Sequence, residues 1–167
     1  MDIDLFSITD PKVILTGARG SGKTRTCLHW VDQARQAGWK VAGMVCPAVF
    51  ERGRKTGIDA VDLSSGVRRR LANQVDRDTG DIVADHWDFY ADVLTWGNDV
   101  LGSIRQCDLL VVDELGPLEI SRQKGWVKAF ETLKKCRCRL SVVVIRPELM
   151  GEAAHLWPDA AIIDLDA

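Results

Sequence analysis

A glycine-rich octapeptide limits the folds open to this chain more than any other feature. Residues 17–24 read Gly-Ala-Arg-Gly-Ser-Gly-Lys-Thr, which fits the pattern G-x-x-x-x-G-K-[ST] in full, and the apolar run at residues 12–16 comes directly before them. Glycines at these positions let backbone N–H groups curl around a phosphate, and a helix that starts there directs its positive dipole end at the same anion. We therefore predict a buried strand, a phosphate-binding turn and a helix in direct succession.

All eight residues of this turn are candidates for nucleotide binding. They are Gly17, Ala18, Arg19, Gly20, Ser21, Gly22, Lys23 and Thr24. The ammonium group of Lys23 can reach the β- and γ-phosphate oxygens, and the hydroxyl of Thr24 can coordinate Mg²⁺. Lys23 is accordingly a candidate catalytic residue, and Thr24 is a candidate metal ligand.

Short apolar runs alternate with amphipathic segments along most of the chain. Further buried strands are predicted at residues 41–46, 109–112, 140–145 and 161–165. Helices are predicted over residues 23–37, on the face that carries Phe89, Val93, Trp96, Val100 and Ile104, and around Trp126, Phe130 and Leu133. This alternation predicts an α/β fold in three layers, a mostly parallel sheet flanked by helices. Alternating apolar and polar residues before a Ser-Ser-Gly turn predict an inserted antiparallel hairpin at about residues 57–72.

Length and charge exclude several classes of protein. The 167 residues fit one domain over residues 1–167, with no repeat or linker that divides it. With 22 basic and 24 acidic residues the net charge is −2, so a protein that grips nucleic acid by bulk charge is not expected. No apolar run is long enough to span a membrane and the acidic start lacks the order of a signal peptide, so we expect a cytoplasmic protein. The five cysteines are an odd number and do not suggest a disulfide framework.

A second candidate site follows the apolar strand at residues 109–112. Asp113 is placed to hold Mg²⁺, because the carboxylate that accompanies a phosphate-binding turn normally ends a nearby apolar strand. Glu114 comes next, where a carboxylate can orient a water molecule and accept its proton. An aspartate followed by a glutamate favours hydrolysis over transfer to a second substrate. Asp113 is thus a candidate metal ligand and Glu114 a candidate catalytic base.

Several cationic and aromatic residues are further candidates. Arg146 directly follows the strand at residues 140–145, where it can contact the γ-phosphate during phosphoryl transfer or cap the next turn. Six cations surround the predicted hairpin: Arg52, Arg54, Lys55, Arg68, Arg69 and Arg70. They can face the nucleotide or a polyanionic partner, or form a solvated surface. Aromatic residues between 87 and 96 can stack on a base or pack in the core.

Three segments together resemble a known family. They are the turn at residues 17–24, the stretch Gly57-Ile58-Asp59-Ala60-Val61-Asp62-Leu63, and Asp113-Glu114-Leu115-Gly116-Pro117-Leu118-Glu119 followed by Gly125-Trp126. The chain is similar over about residues 12–165 to the small P-loop nucleoside-triphosphatases first described from thermophiles and also found in animals. The resemblance implies Mg²⁺-dependent hydrolysis of several nucleoside triphosphates to diphosphate and phosphate. It also implies a P-loop sheet of the additional-strand type with an inserted hairpin.

The chain departs from the family pattern at two positions. Where the family typically has an arginine before the hairpin, this chain has Lys55, with Arg54 one place earlier. A lysine cannot make the bidentate phosphate contact of an arginine, so either residue could take over that position's charge. Arg25 follows Thr24 where the family usually has a second hydroxyl residue, which leaves the metal ligand intact. The role of Glu119 stays open at this point.

Three functions fit these observations. The first is a triphosphatase that uses water as the acceptor. The second is a kinase that uses the same turn to phosphorylate a nucleotide or another small metabolite. The third is a regulatory switch in which nucleotide binding orders the hairpin for a protein partner. The preferred base, a protein partner and the oligomeric state are not determined by the residues.

Overall fold

The computed structural model describes residues 2–75, 82–84 and 87–167, with only the backbone at residues 82–84. The strands in this part of the chain are β1 (Lys12–Thr16), β2 (Val41–Val45), β3 (Ala48–Glu51), β4 (Arg54–Asp62), β5 (Arg68–Gln74), β6 (Ile82–Ala84), β7 (Trp87–Phe89), β8 (Leu109–Val112), β9 (Leu140–Val144) and β10 (Ala161–Asp164). The helices are α1 (Lys23–Gln36), α2 (Ala91–Ser103), α3 (Pro117–Ile120), α4 (Lys128–Lys135) and α5 (Met150–Leu156). Short 3₁₀ turns cover Leu5–Ser7 and Pro147–Leu149.

These strands form one sheet with a parallel core and an antiparallel extension. The order is β10-β1-β9-β8-β2-β4-β5-β7-β6, and β3 also pairs with β4. Neighbours from β10 to β2 are parallel, and those beyond β2 are antiparallel. Since β9 lies between β1 and β8, the additional-strand arrangement implied by the resemblance is confirmed. All five parallel strands therefore end at the same edge of the sheet, which is where the loops that follow β1, β8 and β9 meet.

Helices cover both faces of the parallel core, as the three-layer α/β prediction requires. On one face, Trp30 and Val31 of α1 pack with Val13 and Leu15 of β1. On the other face, Leu101 of α2 belongs to the cluster formed with α4, α5 and the opposite side chains of the same strands. Strands buried on both faces have apolar residues at consecutive positions, which is the pattern seen in β8 and β9.

The predicted hairpin is present and is longer than its predicted range. Its strands β4 and β5 begin at Arg54 and end at Gln74, and β3 and β7 widen it on either side. Strands β2 and β3 both pair with β4, and residues 46–47 separate them. Pro47 has no N–H to donate, which explains why the pairing is interrupted there. The carboxylate of Asp62 accepts bonds from Ser64 N (3.0 Å) and Ser65 Oγ (2.7 Å), which stabilises the turn of the hairpin.

The helix predicted around Phe89 is shorter than its apolar spacing suggested. Helix α2 begins at Ala91 and ends at Ser103, so Phe89 and Ile104 lie outside it. Phe89 belongs to β7, where it pairs with Ala72 of β5. Phe89 and Ile104 both pack against the same core as the helix. The apolar spacing therefore predicted a buried face correctly but did not predict the residues at which the helix starts and ends. Among the described residues, no helix has the length and apolarity needed to cross a membrane.

Candidate active site

The turn at residues 17–22 connects β1 to α1, as predicted from the octapeptide. Gly22 has φ +95°, a left-handed conformation that glycine adopts without strain, and Thr26 N donates to its carbonyl at 2.8 Å to begin the helix. Gly17 has φ +150°, and a Cβ atom there would lie 2.5 Å from Ser21 Oγ. The turn thus needs a glycine at Gly17 for space and at Gly22 for backbone conformation. A turn of this kind can direct its backbone N–H groups at a ligand.

Lys23 is held by the turn itself. Its Nζ atom donates to the carbonyl oxygens of Gly17 (2.6 Å) and Ala18 (2.8 Å), and the residue is buried. These two bonds hold a buried ammonium group beside the start of α1. A phosphate bound by the turn would meet this positive charge at short range.

Thr24 and Asp113 lie in direct contact at the edge of the parallel sheet. Thr24 Oγ1 donates to Asp113 Oδ2 at 2.8 Å, and the N–H of Cys46 donates to the same oxygen at 3.0 Å. Asp113 is only 1% exposed, and burial raises the pKa of its carboxyl to about 6, with the charge of Glu114 adding to the effect. The bonds from Cys46 and Thr24 and the charge of Lys23 oppose this rise in pKa.

The donor set fits a hard divalent cation that is completed by phosphate oxygens. A hydroxyl and a carboxylate oxygen already touch, and a buried carboxylate with a raised pKa gains from a cation beside it. In the described part of the chain, no three Cys, His, Asp or Glu side chains converge to hold a metal by themselves. Mg²⁺ is commonly held by one or two protein groups together with substrate phosphates, so Thr24 and Asp113 would hold it here.

Glu114 and Arg146 form an ion pair next to this contact. Arg146 Nε donates to Glu114 Oε1, and Arg146 Nη1 lies 3.9 Å from Glu148. The two groups come from adjacent strands, since β8 precedes Glu114 and β9 precedes Arg146. Both are partly exposed to one cavity, so the predicted base and the predicted cation lie together and remain accessible to a ligand.

Glu119, whose role was open, organises the segment after Glu114. Its carboxylate accepts bonds from the N–H groups of Gly116 (3.0 Å) and Trp126 (3.3 Å), and the side chain is buried. Burial raises the pKa of Glu119 to about 7, and the charge of Glu114 adds to this. A Cβ atom on Gly125 would lie 2.5 Å from Glu119 Oε1, so a glycine is needed there. Glu119, Gly116 and Trp126, which belong to the segments that carry the resemblance, are thus connected by hydrogen bonds and together line the cavity.

A cavity of about 860 Å³ connects the turn with the antiparallel extension. Its charged lining consists of Arg19, Lys23, Arg25, Lys55, Glu114, Glu119, Arg146 and Glu148. Its apolar lining includes Phe50, Ile58, Leu71, Trp87, Phe89, Leu94, Leu118 and Trp126. A volume of this size is typical of a small-molecule site. The charges lie where a triphosphate would bind, and the apolar wall comes mainly from the extension.

Three of the six cations around the hairpin are engaged away from this cavity. Arg68 and Arg70 form ion pairs with Asp59 at 2.6 and 2.7 Å, and Arg69 stacks on the ring of Trp96 at 4.5 Å. None of these arginines lines the cavity in the part of the chain that is described. The prediction of a solvated surface therefore describes these three arginines better than a nucleotide contact does.

The aromatic residues between 87 and 96 occupy different surroundings. Trp87 and Phe89 line the cavity, whereas Trp96 lies under Arg69. The hydroxyl of Tyr90 accepts a bond from Asn73 Nδ2 at 2.5 Å and so links β5 to the start of α2. Sequence position alone does not separate these roles, because β7 places Trp87 and Phe89 on the sheet rather than on α2.

One contact to the turn was not predicted. The carboxylate of Asp166 accepts a bond from the N–H of Ala18, and Leu165 N donates to Thr16 O at 3.0 Å. Both follow from the pairing of β10 with β1, which brings the end of the chain to the turn. No local pattern around Asp166 signals this contact, since it depends on strand order.

Comparison with known proteins places the chain in a family. A family model described as NTPase matches residues 12–154, which is most of the chain. The chain belongs to this NTPase family. The resemblance noted from the sequence is thereby confirmed, and the matched segment includes Lys23, Asp113, Glu114 and Arg146.

Several individual relatives of this NTPase family member carry the name nucleoside-triphosphatase THEP1. A nucleoside-triphosphatase THEP1 of Methanopyrus kandleri is 33% identical over 108 residues, which are 65% of this chain and 59% of the relative. A THEP1 of Archaeoglobus fulgidus is 34% identical over 123 residues, covering 73% of this chain and 70% of the relative. For several of these relatives, the Methanopyrus kandleri protein among them, the match spans less than two thirds of their length.

Two solved structures share the fold. The solution structure of a human cancer-related nucleoside triphosphatase has a TM-score of 0.68 at 24% identity, and the match covers 92% of this chain and 87% of that one. The crystal structure of THEP1 from Aquifex aeolicus has a TM-score of 0.56 at 19% identity, with 92% and 89% covered. At these identities the likeness establishes the three-layer P-loop fold of this family member, and its chemistry is inferred from the residues of the site.

Proposed function

We propose that this protein is a Mg²⁺-dependent nucleoside-triphosphatase that hydrolyses ATP, GTP and other nucleoside triphosphates to diphosphate and phosphate. The observation that carries the proposal is the 2.8 Å contact between Thr24 and Asp113 beside the turn that holds Lys23. This is the arrangement that a metal-bound triphosphate requires. Membership of the NTPase family and the names of the relatives support the same reaction.

In this proposal each residue has a separate task. The N–H groups of residues 17–24 and the ammonium group of Lys23 bind and orient the β- and γ-phosphates. Thr24 and Asp113 would hold Mg²⁺, which when bound would neutralise negative charge on the triphosphate. Glu114 orients a water molecule and accepts its proton as the new bond to the γ-phosphorus forms and the bond to the β-phosphate oxygen breaks. Arg146 contacts the γ-phosphate and stabilises the charge on its oxygens.

The ion pair between Glu114 and Arg146 fits this division of tasks. In the pair, each group neutralises the other at the place where the γ-phosphate would bind. A triphosphate offers Arg146 a more highly charged partner, so we expect Arg146 to turn to the phosphate and release the Glu114 carboxylate for water. Both side chains are partly exposed to the cavity, which leaves room for this exchange.

The test is phosphate release with Mg²⁺ from ATP, GTP, CTP and UTP, without an added acceptor. The wild type should release phosphate from several of these, and Glu114→Gln should lower kcat by roughly a hundredfold with KM little changed, because the lost proton acceptor acts only in the transition state. Glu131→Gln is the matched control, since Glu131 is exposed on α4 in a pair with Lys135. A Glu114→Gln variant that retains full kcat would remove Glu114 from the chemistry.

The apolar half of the cavity favours a kinase as the second candidate function. Leu71, Phe89 and Leu94 line space beyond the charged groups that a water molecule does not need. A nucleotide or another small metabolite could bind there as the phosphoryl acceptor. Turnover that depends on such an acceptor, with little phosphate release to water, would support this alternative. Nucleotide binding without turnover until a protein partner is added would indicate the switch instead.

A further inference from the structure

The antiparallel extension brings one of its cations to the charged end of the cavity. Lys55 lies near the start of β4 and lines the cavity together with Glu114 and Arg146. Its Nζ atom lies 5.1 Å from the centre of the Trp87 ring, which comes from β7 across the extension. A cation over an aromatic face is attracted to it, so Trp87 holds the ammonium group in place.

Lys55 differs from Arg68 and Arg70 of the hairpin in its partners. Arg68 and Arg70 both pair with Asp59, whereas within the described residues no ion pair is formed by Lys55. Arg54 and Lys55 are both exposed, but Arg54 lies opposite Glu51 at the turn between β3 and β4 and is not among the described residues that line the cavity. Of the two residues that could take the position of the family arginine, only Lys55 reaches the site.

The electrostatic surroundings of Lys55 are those of the phosphate site. Partial burial lowers the pKa of Lys55, and the charges that act on it further are those of Glu114, Arg19, Arg146 and Asp113. Two of these are cations, and Glu114 is already paired with Arg146. Lys55 is thus a further cation beside a carboxylate that Arg146 already engages, which favours an anionic ligand in the cavity. The γ-phosphate of a bound triphosphate is an anion of the required charge at the required place.

We propose that Lys55 binds the terminal phosphate of the nucleoside triphosphate, with Trp87 as the residue that positions its ammonium group. The inference rests on the proposed function for the identity of the ligand. Lysine acts on a phosphate as a point charge, so it can replace the charge of an arginine without its two parallel hydrogen bonds. The extension thereby supplies a substrate-contacting residue to a site otherwise built from the parallel core.

The experiment compares a triphosphate with a diphosphate, because only the triphosphate carries the terminal phosphate. Binding of a non-hydrolysable ATP analogue and of ADP, each with Mg²⁺, is measured by calorimetry for wild type, Lys55→Ala, Lys55→Arg and Arg54→Ala. Lys55→Ala should weaken binding of the analogue by about tenfold or more and leave ADP within about twofold, since one charge-assisted contact is lost. Lys55→Arg should retain most of the preference for the triphosphate. Arg54→Ala is the matched control and should bind both ligands as the wild type does.

Two outcomes would overturn the assignment. If Lys55→Ala binds the analogue as tightly as the wild type, Lys55 does not contact the terminal phosphate. If it loses affinity for the analogue and for ADP equally, Lys55 supports the cavity wall rather than the γ-phosphate. A failure of the proposed hydrolase is seen separately, as a wild type that prefers the triphosphate but releases no phosphate from it.

The positioning role of Trp87 has its own readout. Trp87→Leu keeps an apolar side chain in this buried place and removes the aromatic face under Lys55. We expect the preference for the triphosphate over ADP to fall severalfold, in the same direction as in Lys55→Ala and by less. A Trp87→Leu variant that melts as the wild type does and keeps the full preference would show that the ring does not position Lys55.

Discussion

At the scale of single residues, the charged groups of the site have hydrogen-bond or ion-pair partners within the protein itself. Lys23 bonds to two carbonyl groups, Asp113 accepts bonds from Thr24 and Cys46, and Glu114 pairs with Arg146. These partners lower the cost of keeping polar groups in a partly buried place. Each of them is also a group that a metal-bound triphosphate would replace with a stronger interaction. The same contacts therefore stabilise the fold and prepare the site.

Arg146 offers a direct test at this scale. Arg146→Ala should lower kcat for phosphate release by about tenfold or more, because a well-placed arginine stabilises the charge that develops on the γ-phosphate. Arg139→Ala is the control: Arg139 precedes β9 at its other end, where it pairs with Asp108 at 2.9 Å. Both variants are assayed for kcat and KM, and their folding is checked by circular dichroism. An unchanged kcat in Arg146→Ala would place that residue outside the mechanism.

At the scale of the elements, the position of Asp113 depends on how closely β2 approaches β8. Gly43 of β2 pairs with Val111 of β8, and a Cβ atom on Gly43 would lie 1.9 Å from Val111 O. The glycine also has φ +117°, a conformation that other residues rarely adopt. Asp113 N donates to Met44 O at 3.0 Å directly beyond this contact. The close approach of the two backbones thus sets the position of Asp113, the proposed metal ligand.

Gly43→Ala should be strongly destabilising for this reason. We expect the free energy of unfolding to fall by at least about 3 kcal/mol, since the added methyl group meets backbone atoms and the left-handed φ is strained as well. Gly151→Ala is the matched control, because Gly151 lies in α5 with no atom within 4 Å of its added Cβ, and a change of at most about 1 kcal/mol is expected there. Urea denaturation measures both. A loss in Gly43→Ala no larger than in the control would contradict the close approach of the strands.

At the scale of the whole molecule, the cavity lies where the parallel core meets the antiparallel extension. The core supplies Lys23, Glu114 and Arg146, and the extension supplies Lys55 and Trp87. Buried carboxyls at this junction make the stability of the entire fold depend on pH. Burial raises the pKa of Glu119 to about 7 and that of Asp113 to about 6, so both bind a proton more tightly in the folded chain than in the unfolded one.

The contribution of Glu119 to this dependence can be isolated. Its raised pKa gives stability that is fully present below about pH 4.5 and is lost as the pH rises through about 7, which amounts to roughly 3 kcal/mol for a shift of this size. Glu119→Gln does not titrate, so its free energy of unfolding should fall less between pH 4.5 and 8 than that of the wild type. Denaturation without nucleotide or Mg²⁺ at several pH values measures the two slopes. Equal slopes would show that Glu119 titrates as an ordinary glutamate.

The parts of the site that were predictable lie within short segments of the chain. Residues 17–24 form one contiguous turn and the start of α1. Asp113 and Glu114 follow an apolar strand, and the carboxyl ends of parallel strands lie at the edge of the sheet where ligands bind. The same rule placed Arg146 at this edge. In contrast, the apolar spacing around Phe89 predicts a helix, although the residue lies in β7. One apolar residue beside the end of a helix fits the helical spacing equally well when it belongs to a neighbouring strand that faces the same core.

The sequence by itself determined the glycine-rich turn between β1 and α1, the alternation that requires a flanked parallel sheet, and the acidic pair at the end of β8. These follow from backbone geometry and burial over a few consecutive residues. Only the tertiary structure decided that Lys55 rather than Arg54 faces the cavity, that Glu114 pairs with Arg146, and that Asp166 reaches Ala18. Those contacts depend on strand order and register between distant segments, and no local pattern of residues encodes which of two neighbouring side chains points inward once the strands are paired.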